Sequence, residues 1–249
     1  MAKKAGKAVV LWEEELAKEA KALSATEKLS GGRKFITHKD GTMSFAGAEV
    51  PDNELSVVIL GVIHENQWYD EDYQAGEFQI PKCFAFGTTE DEMEPHEKAV
   101  DPQHTSCEGC PLNEWGSADR GNGKACKNVR RFAMISASDL DDLENAEIAY
   151  LKLPVTSVKH WASYMKKTLE KVVQRPYWAV TTKIYLEGKE FGFALDKEAA
   201  DINPENFPKL KELNRTVMEE LPFPYEPLPE TAKKTVKKAD KKKAGFGRR

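Results

Sequence analysis

The sequence predicts a mainly β, α+β fold, and three observations carry that reading. Short runs rich in Val, Ile, Phe and Tyr recur between Arg33 and Leu195. Turn formers (Gly, Asp, Asn, Pro) separate these runs. Only two stretches after Arg33 show the 3.6-residue apolar spacing of a helix.

The elements follow in order. Residues 1–30 read as a helical arm, because Trp12, Leu16, Ala20 and Leu23 share one helical face and Gly31-Gly32 ends it. The arm either packs on its own domain or docks on a partner or a second copy. Residues 33–38 and 42–46 flank Lys39-Asp40-Gly41, a hairpin signal. Residues 55–63 are nearly continuous Val, Ile and Leu and predict a buried strand. A further strand is expected within 77–86. Residues 87–128 hold many turn formers and three cysteines and read as a long loop. Strands follow at 129–136 and 146–153. Pro154 then opens a helix that Thr156 or Ser157 can cap, with the stripe Val158, Trp161, Met165, Leu169 and Val172. Arg175-Pro176 stops it. Residues 178–186 and 191–195 form a hairpin around Gly188-Lys189. Asn203-Pro204 caps a last helix carrying Phe207, Leu210, Leu213, Val217 and Leu221.

Prolines 222, 224, 227 and 229 exclude helix and central strand from the segment that follows. The Lys-rich end has too few apolar residues to order itself. The expected organisation is therefore an arm at 1–30, a core at 31–221 containing the loop at 87–128, and a disordered tail at 222–249. Many short strands with one helix before the last hairpin suit an OB-like, partly open barrel. A β-sandwich is the alternative.

Composition sets the functional bounds. The 249 residues are 40 % hydrophobic and 31 % charged, an ordinary globular balance. No apolar run approaches the ~18 residues of a membrane span. Lysines at the N-terminus give way to Glu13-Glu14-Glu15, unlike a secretory signal. A soluble intracellular protein is expected. The net charge of −4 hides an asymmetry: residues 230–249 carry +7 and residues 52–101 carry −11. Five cations and no acid lie between Arg120 and Arg131. Separated basic blocks point toward a polyanion.

The most specific motif is Cys107-Glu108-Gly109-Cys110, with Cys126 further on. Two cysteines spaced by two aim both sulfurs at one point, as zinc knuckles require. The fourth ligand is Cys83 or His104. Cys83 on a strand would tie the loop to the sheet, and His104 sits close enough to Cys107 to strain the knuckle. Four reduced cysteines without metal, or an iron–sulfur cluster, are the other readings. Gly116 to Lys124 looks like a phosphate loop but lacks its pattern, with Ala118 where a glycine belongs and Ala125 after Lys124. Arg120, Lys124, Lys127, Arg130 and Arg131, with Trp115 beside them, fit a groove that holds phosphates and stacks bases. Phe84, Phe86, Tyr177 and Trp178 are further stacking candidates, each also a candidate for the core. No catalytic constellation stands out, so no enzyme is expected.

The block Cys83-Phe84, Cys107-x-x-Cys110-Pro111-Leu112-Asn113, Trp115-Gly116-Ser117-Ala118, Gly123-Lys124-Ala125-Cys126-Lys127-Asn128 and Arg130-Arg131, with Leu153 to Lys159, resembles a family of bacteriophage and prophage proteins. The layout is similar to that of zinc-containing, OB-fold-like single-stranded DNA-binding proteins of phages. The four-cysteine pattern of that resemblance implies Cys83 as the fourth ligand and Zn2+ as the cofactor. It also implies a viral protein that coats single-stranded DNA during replication or recombination in the cytoplasm of an infected bacterium. Phage replication proteins are candidate partners, and no membrane is. The chain departs from the pattern at its end, which is basic where such proteins often end in an acidic tail. A zinc-stabilised structural or protein-interaction module without nucleic-acid binding is the alternative function.

Overall fold

The computed structural model describes residues 33–71 and 79–225. The arm expected at 1–30 and the Lys-rich tail from 226 onward lie outside the described residues.

Nine strands build one curled, mixed sheet shaped as a half-barrel. They are β1 (Lys34–Lys39), β2 (Thr42–Phe45), β3 (Ala48–Glu49), β4 (Glu54–Trp68), β5 (Cys83–Gly87), β6 (Lys127–Ser136), β7 (Ala149–Leu153), β8 (Thr182–Glu187) and β9 (Glu190–Leu195). The order across the sheet is β3-β2-β1-β7-β6-β4-β8-β9, with β5 also paired to β4. The mainly β expectation is met. The turn between β1 and β2 has φ of 52° at Asp40 and 84° at Gly41, the two positive values that a tight hairpin needs.

Strand β4 is the organising element. It pairs with β6 from Val57 to Gln67 along one edge. Its other edge is shared: β8 takes Glu54 to Val57 and β5 takes His64 to Trp68. Between these two partners the carbonyl of Leu60 accepts a 2.6 Å bond from Asn214 Nδ2. The β4–β6 register slips at Ile59/Gly61, a bulge with one extra residue on β4. Before the bulge, odd residues Val57 and Ile59 enter one core; after it, the even residue Val62 does. An extra residue reverses which parity faces which side.

Both faces of the sheet are covered, which explains the unbroken apolar run. On one face Ile36, Met43, Ile59, Phe132, Met134, Leu151, Leu153, Ile184 and Phe191 pack with helix α1 (Val155–Ser163). On the other face Val58, Leu60, Ile63, Ala133 and Ile135 pack with Leu210, Val217 and Leu221 of and beside helix α2 (Phe207–Glu220). Burying each large side chain contributes about 1.5–3 kcal/mol before the entropic cost is counted.

Three details differ from expectation. Strand β4 runs on past Ile63 through Glu65, Asn66 and Gln67, which are buried although polar. Ser157 does not cap α1; its Oγ accepts the Phe191 N–H of β9 at 2.9 Å, and no side chain caps the helix. Beyond Ser163 the helix widens into a π-helix from Tyr164 to Val173, closed by Gln174 N–H on the Leu169 carbonyl at 2.7 Å. The wider turns move the stripe on by one residue. Val172 is therefore 76 % exposed, and Val173 takes its place against the core. Among the described residues no helix is long and apolar enough to cross a membrane.

A Cβ at Gly61 would meet Val217 Cγ1 at 2.9 Å, so α2 packs directly on the bulge. Gly61→Ala is expected to destabilise the protein by about 1–3 kcal/mol through overpacking. Asn214→Ala should cost a similar ~1–3 kcal/mol by orphaning the Leu60 carbonyl. Denaturant midpoints measure both; an unchanged midpoint in Gly61→Ala would mean that α2 is free to move off the strand.

Candidate metal centre and nucleic-acid interface

The loop between β5 and β6 carries most of the chemistry, and its backbone is pinned at many points. His96 N–H bonds the Phe84 carbonyl at 2.8 Å, and Cys107 N–H bonds the Met93 carbonyl at 2.8 Å. Met93, fully buried, packs with Ala85 and Cys107. Cys126 N–H reaches the Leu112 carbonyl at 2.8 Å. Asn113 donates to the Cys107 carbonyl at 3.0 Å and accepts from Asn128 Nδ2 at 2.9 Å. Asn128 also donates to Asn66 of β4 at 2.6 Å. A loop this long would be costly to order without such ties.

All four cysteines line one cavity of about 20 Å³, room for a single atom or water-sized group. Trp68, Phe84, Pro95 and Leu112 also line it. Gly109, at φ 73°, makes the turn that brings Cys107 and Cys110 round to it. None of the four is in a disulfide. Burial, then the charge of the neighbouring thiolates, raises the thiols of Cys83, Cys107 and Cys126, the last to about 12. The four sulfurs thus feel one another. As placed, no three His, Cys, Asp or Glu side chains among the described residues converge tightly enough to hold a metal. The donor chemistry nevertheless fits a thiolate-bound cation: four thiols at one dry cavity, whose mutual repulsion a divalent ion would reverse. His104 also lines the cavity, but its Nδ1 engages the Ser106 carbonyl at 2.9 Å and its ring is exposed.

The structure separates the five cations of the basic run. Arg120 and Lys127 are exposed and Lys124 is half-buried. Lys124 Nζ lies 5.9 Å from the ring of Trp115, which is 77 % exposed. Lys127 Nζ donates to the Lys124 carbonyl at 3.0 Å, so Trp115, Lys124 and Lys127 lie together where the cysteine loop meets β6. Arg130 is buried and pairs with Glu90 at 2.5 Å, beside His64 at 3.3 Å from the same carboxylate. Burial pushes the Glu90 carboxyl up, yet its bond to Arg130 outweighs this and holds it below the usual range.

Arg131 is 2 % exposed. Its guanidinium grips Glu65 through Nε and Nη2 at 2.9 and 3.0 Å. Nη1 donates to the carbonyls of Leu221 and Phe223 at 3.2 and 2.6 Å. The rings of Phe86 and Phe223 enclose it at 4.4 and 4.0 Å. Arg130 and Arg131 are therefore not surface cations here, because a buried cation must be paired and each of these is.

The stacking candidates divide likewise. Phe84 is 1 % exposed and stacks on His96 at 5.2 Å. Tyr177 packs against the α1 core and Trp178 against the α2 core. Only Trp115 among the named aromatics is open to solvent. Sequence reasoning missed Glu65, Gln67, Lys152, Phe223 and Tyr225, which surround Arg131. The signal was a polar triplet, Glu65-Asn66-Gln67, directly after an apolar strand, and aromatics alternating with prolines at 222–225. Phe223 and Tyr225 pack on the sheet, within the segment expected to be disordered from 222.

Compared with known families, curated proteins and solved structures, the chain finds no match.

Removing one partner of a buried ion pair strands the other charge and costs about 3–5 kcal/mol. Glu65→Ala should show a loss of that size in equilibrium unfolding. Combining it with Arg131→Met should recover much of the loss. If Glu65→Ala alone is neutral, the pair is not closed in solution.

Proposed function

We propose that the protein is a non-enzymatic, non-sequence-specific single-stranded DNA-binding protein whose contact loop is held in shape by a bound zinc ion. The observation that carries this reading is the loop itself. It and the first residue of β6 present Trp115, Arg120, Lys124 and Lys127, while its three cysteines and Cys83 of β5 line one cavity. Cations would hold phosphates and the exposed indole would stack on a base, a combination that tolerates any sequence. The resemblance to phage single-strand binders points the same way and suggests a role in replication or recombination. An OB-like reading is supported by the succession β4, β6, β7, α1, β8, β9, in which β4 pairs with both β6 and β8. Strand β1 lies beside β7 in the sheet order.

Cys83, Cys107, Cys110 and Cys126 would hold the zinc rather than His104, whose ring is exposed while the cysteines are buried or half-buried. Zinc supplies cross-linking rather than chemistry here: it would fasten the loop to β5 through Cys83 and to the start of β6 through Cys126. Freshly purified protein should contain one zinc per chain by metal analysis. Cys110→Ser and Cys83→Ser should lose it and His104→Ala should keep it. Binding should weaken as pH falls, because thiolates are the ligands. Full zinc retention in Cys83→Ser would overturn the assignment.

Three surface cations predict a slope of log K against log salt of about −2 for a single strand. Oligo-dT should quench tryptophan fluorescence, and Trp115→Ala should remove most of the quench. Lys124→Ala with Lys127→Ala should weaken all sequences alike and flatten the slope. Fluorescence titration at several salt concentrations reads all three. Duplex affinity equal to or above that for single strand, unchanged in the double variant, would defeat the reading and favour a protein-interaction module.

A further inference from the structure

The face that carries Arg131 is unlike an ordinary core. Lys127, Val129 and Arg131 are two residues apart along β6 and so share one side of it. On β7, Lys152 lies opposite Arg131 and Tyr150 opposite Ala133. On β4, Glu65 and Gln67 lie opposite Val129 and Lys127. On β5, Phe86 and Phe84 lie opposite Glu65 and Gln67. The result is a sheet face with two cations ringed by aromatics, continuous along β6 with the exposed Lys127. Four residues of strand separate Lys127 from Arg131, about 13 Å.

That face is covered by Pro222 to Tyr225, an extended segment with no helix or strand of its own. Phe223 packs on Tyr150 at 5.4 Å and on Phe35 at 6.2 Å. Tyr225 packs edge-on against Phe84 at 5.1 Å. Lys152 Nζ lies 5.3 Å from the Tyr225 ring and 3.4 Å from its hydroxyl. The Tyr225 hydroxyl donates to Glu65 and lies 3.1 Å from Gln67 Oε1. Two backbone carbonyls satisfy Arg131. The segment thus offers two rings to aromatic partners and oxygen acceptors to cations. A nucleic-acid strand offers the same: flat bases and phosphate oxygens.

Resting on the nucleic-acid-binding reading above, we propose that the sheet face of Phe86, Arg131, Tyr150 and Lys152 is a second, covered part of the single-strand site, and that the Phe223–Tyr225 strap occupies it until a strand displaces it. The strap contributes no strand to the sheet, so it can leave with every strand pairing intact, at the cost of the Phe223 contact with the α2-side core. Arg131 keeps its Glu65 partner when the strap leaves, so displacement strands no unpaired charge. Lys152 and the second edge of the guanidinium are then presented next to Lys127.

The full-length chain tests this with two independent readouts. Phe223→Ala with Tyr225→Ala should bind oligo-dT about tenfold more tightly, if the strap-free form is about a tenth of the wild-type population. Lys152→Gln added to that variant should reverse the gain and flatten the salt slope by about 0.7. In the unmodified protein, oligo-dT should accelerate chymotryptic cleavage after Tyr225, which docking otherwise shields. This second readout needs no variant to fold. If the wild type binds oligo-dT while the double variant binds no better and cleavage is unchanged or slowed, the strap proposal is overturned and the binding reading stands. If neither protein binds oligo-dT at low salt, the binding reading itself fails, and this proposal with it.

Discussion

Strand β4 must serve three partner strands, and the sheet depends on how it does so. Its first four residues close against β8 and its last five against β5, while β6 runs along the whole opposite edge. A straight strand with strict alternation would carry one face through its full length. The extra residue at the Leu60-Gly61 step reverses the faces instead. Glu65 and Gln67 thereby fall on the α2 side, and Asn66 falls on the side of the cysteine loop. Glycine is required there because Val217 and Leu221 stand within 2.9 and 3.2 Å of the missing Cβ. The bulge thus sends one strand to two different chemistries, thiols on one side and a buried ion pair on the other.

Much of the β architecture was legible because it follows local rules. The Asp40-Gly41 turn, the run at 55–63 and the hairpin around Gly188 each depend on a few neighbouring residues. Asn203 caps the 3-10 turn Pro204–Asn206 that leads into α2, accepting from Glu205 N–H at 3.1 Å, while α2 itself has no side-chain cap. What failed was whatever depended on distant partners. Ser157 looks like a helix cap by position, yet β9 supplies a better donor. Val172 fits a 3.6-residue stripe that the π-helical turns then shift. Arg130 and Arg131 read as a basic patch because the acids that neutralise them, Glu90 and Glu65, lie 40 and 66 residues away. The cysteine cluster was legible since spacing alone brings Cys107 and Cys110 together.

The buried pair and the cysteine cavity share a physical logic. Each sets titratable groups inside an apolar wall. Arg131 is complete: a carboxylate, two carbonyls and two aromatic faces meet it. At the cavity, burial and then one another's charge raise the thiols of Cys83, Cys107 and Cys126. The two centres are also neighbours in sequence: Cys83 precedes Phe84, and Cys126 precedes Lys127. Ordering the loop therefore also fixes part of the face on which the C-terminal segment rests.

The two ends of the sheet carry a separate consequence. An open half-barrel leaves terminal strands, and bare strand edges invite pairing with other chains. Here β3 has only two residues, both exposed, one of them Glu49. At the opposite end, the Phe191 N–H of β9 is taken by Ser157 from α1. One terminus is thus too short and too charged to template another strand, and the other has an amide already occupied. Among the described residues, these two end strands are thus poor templates for pairing with a second copy.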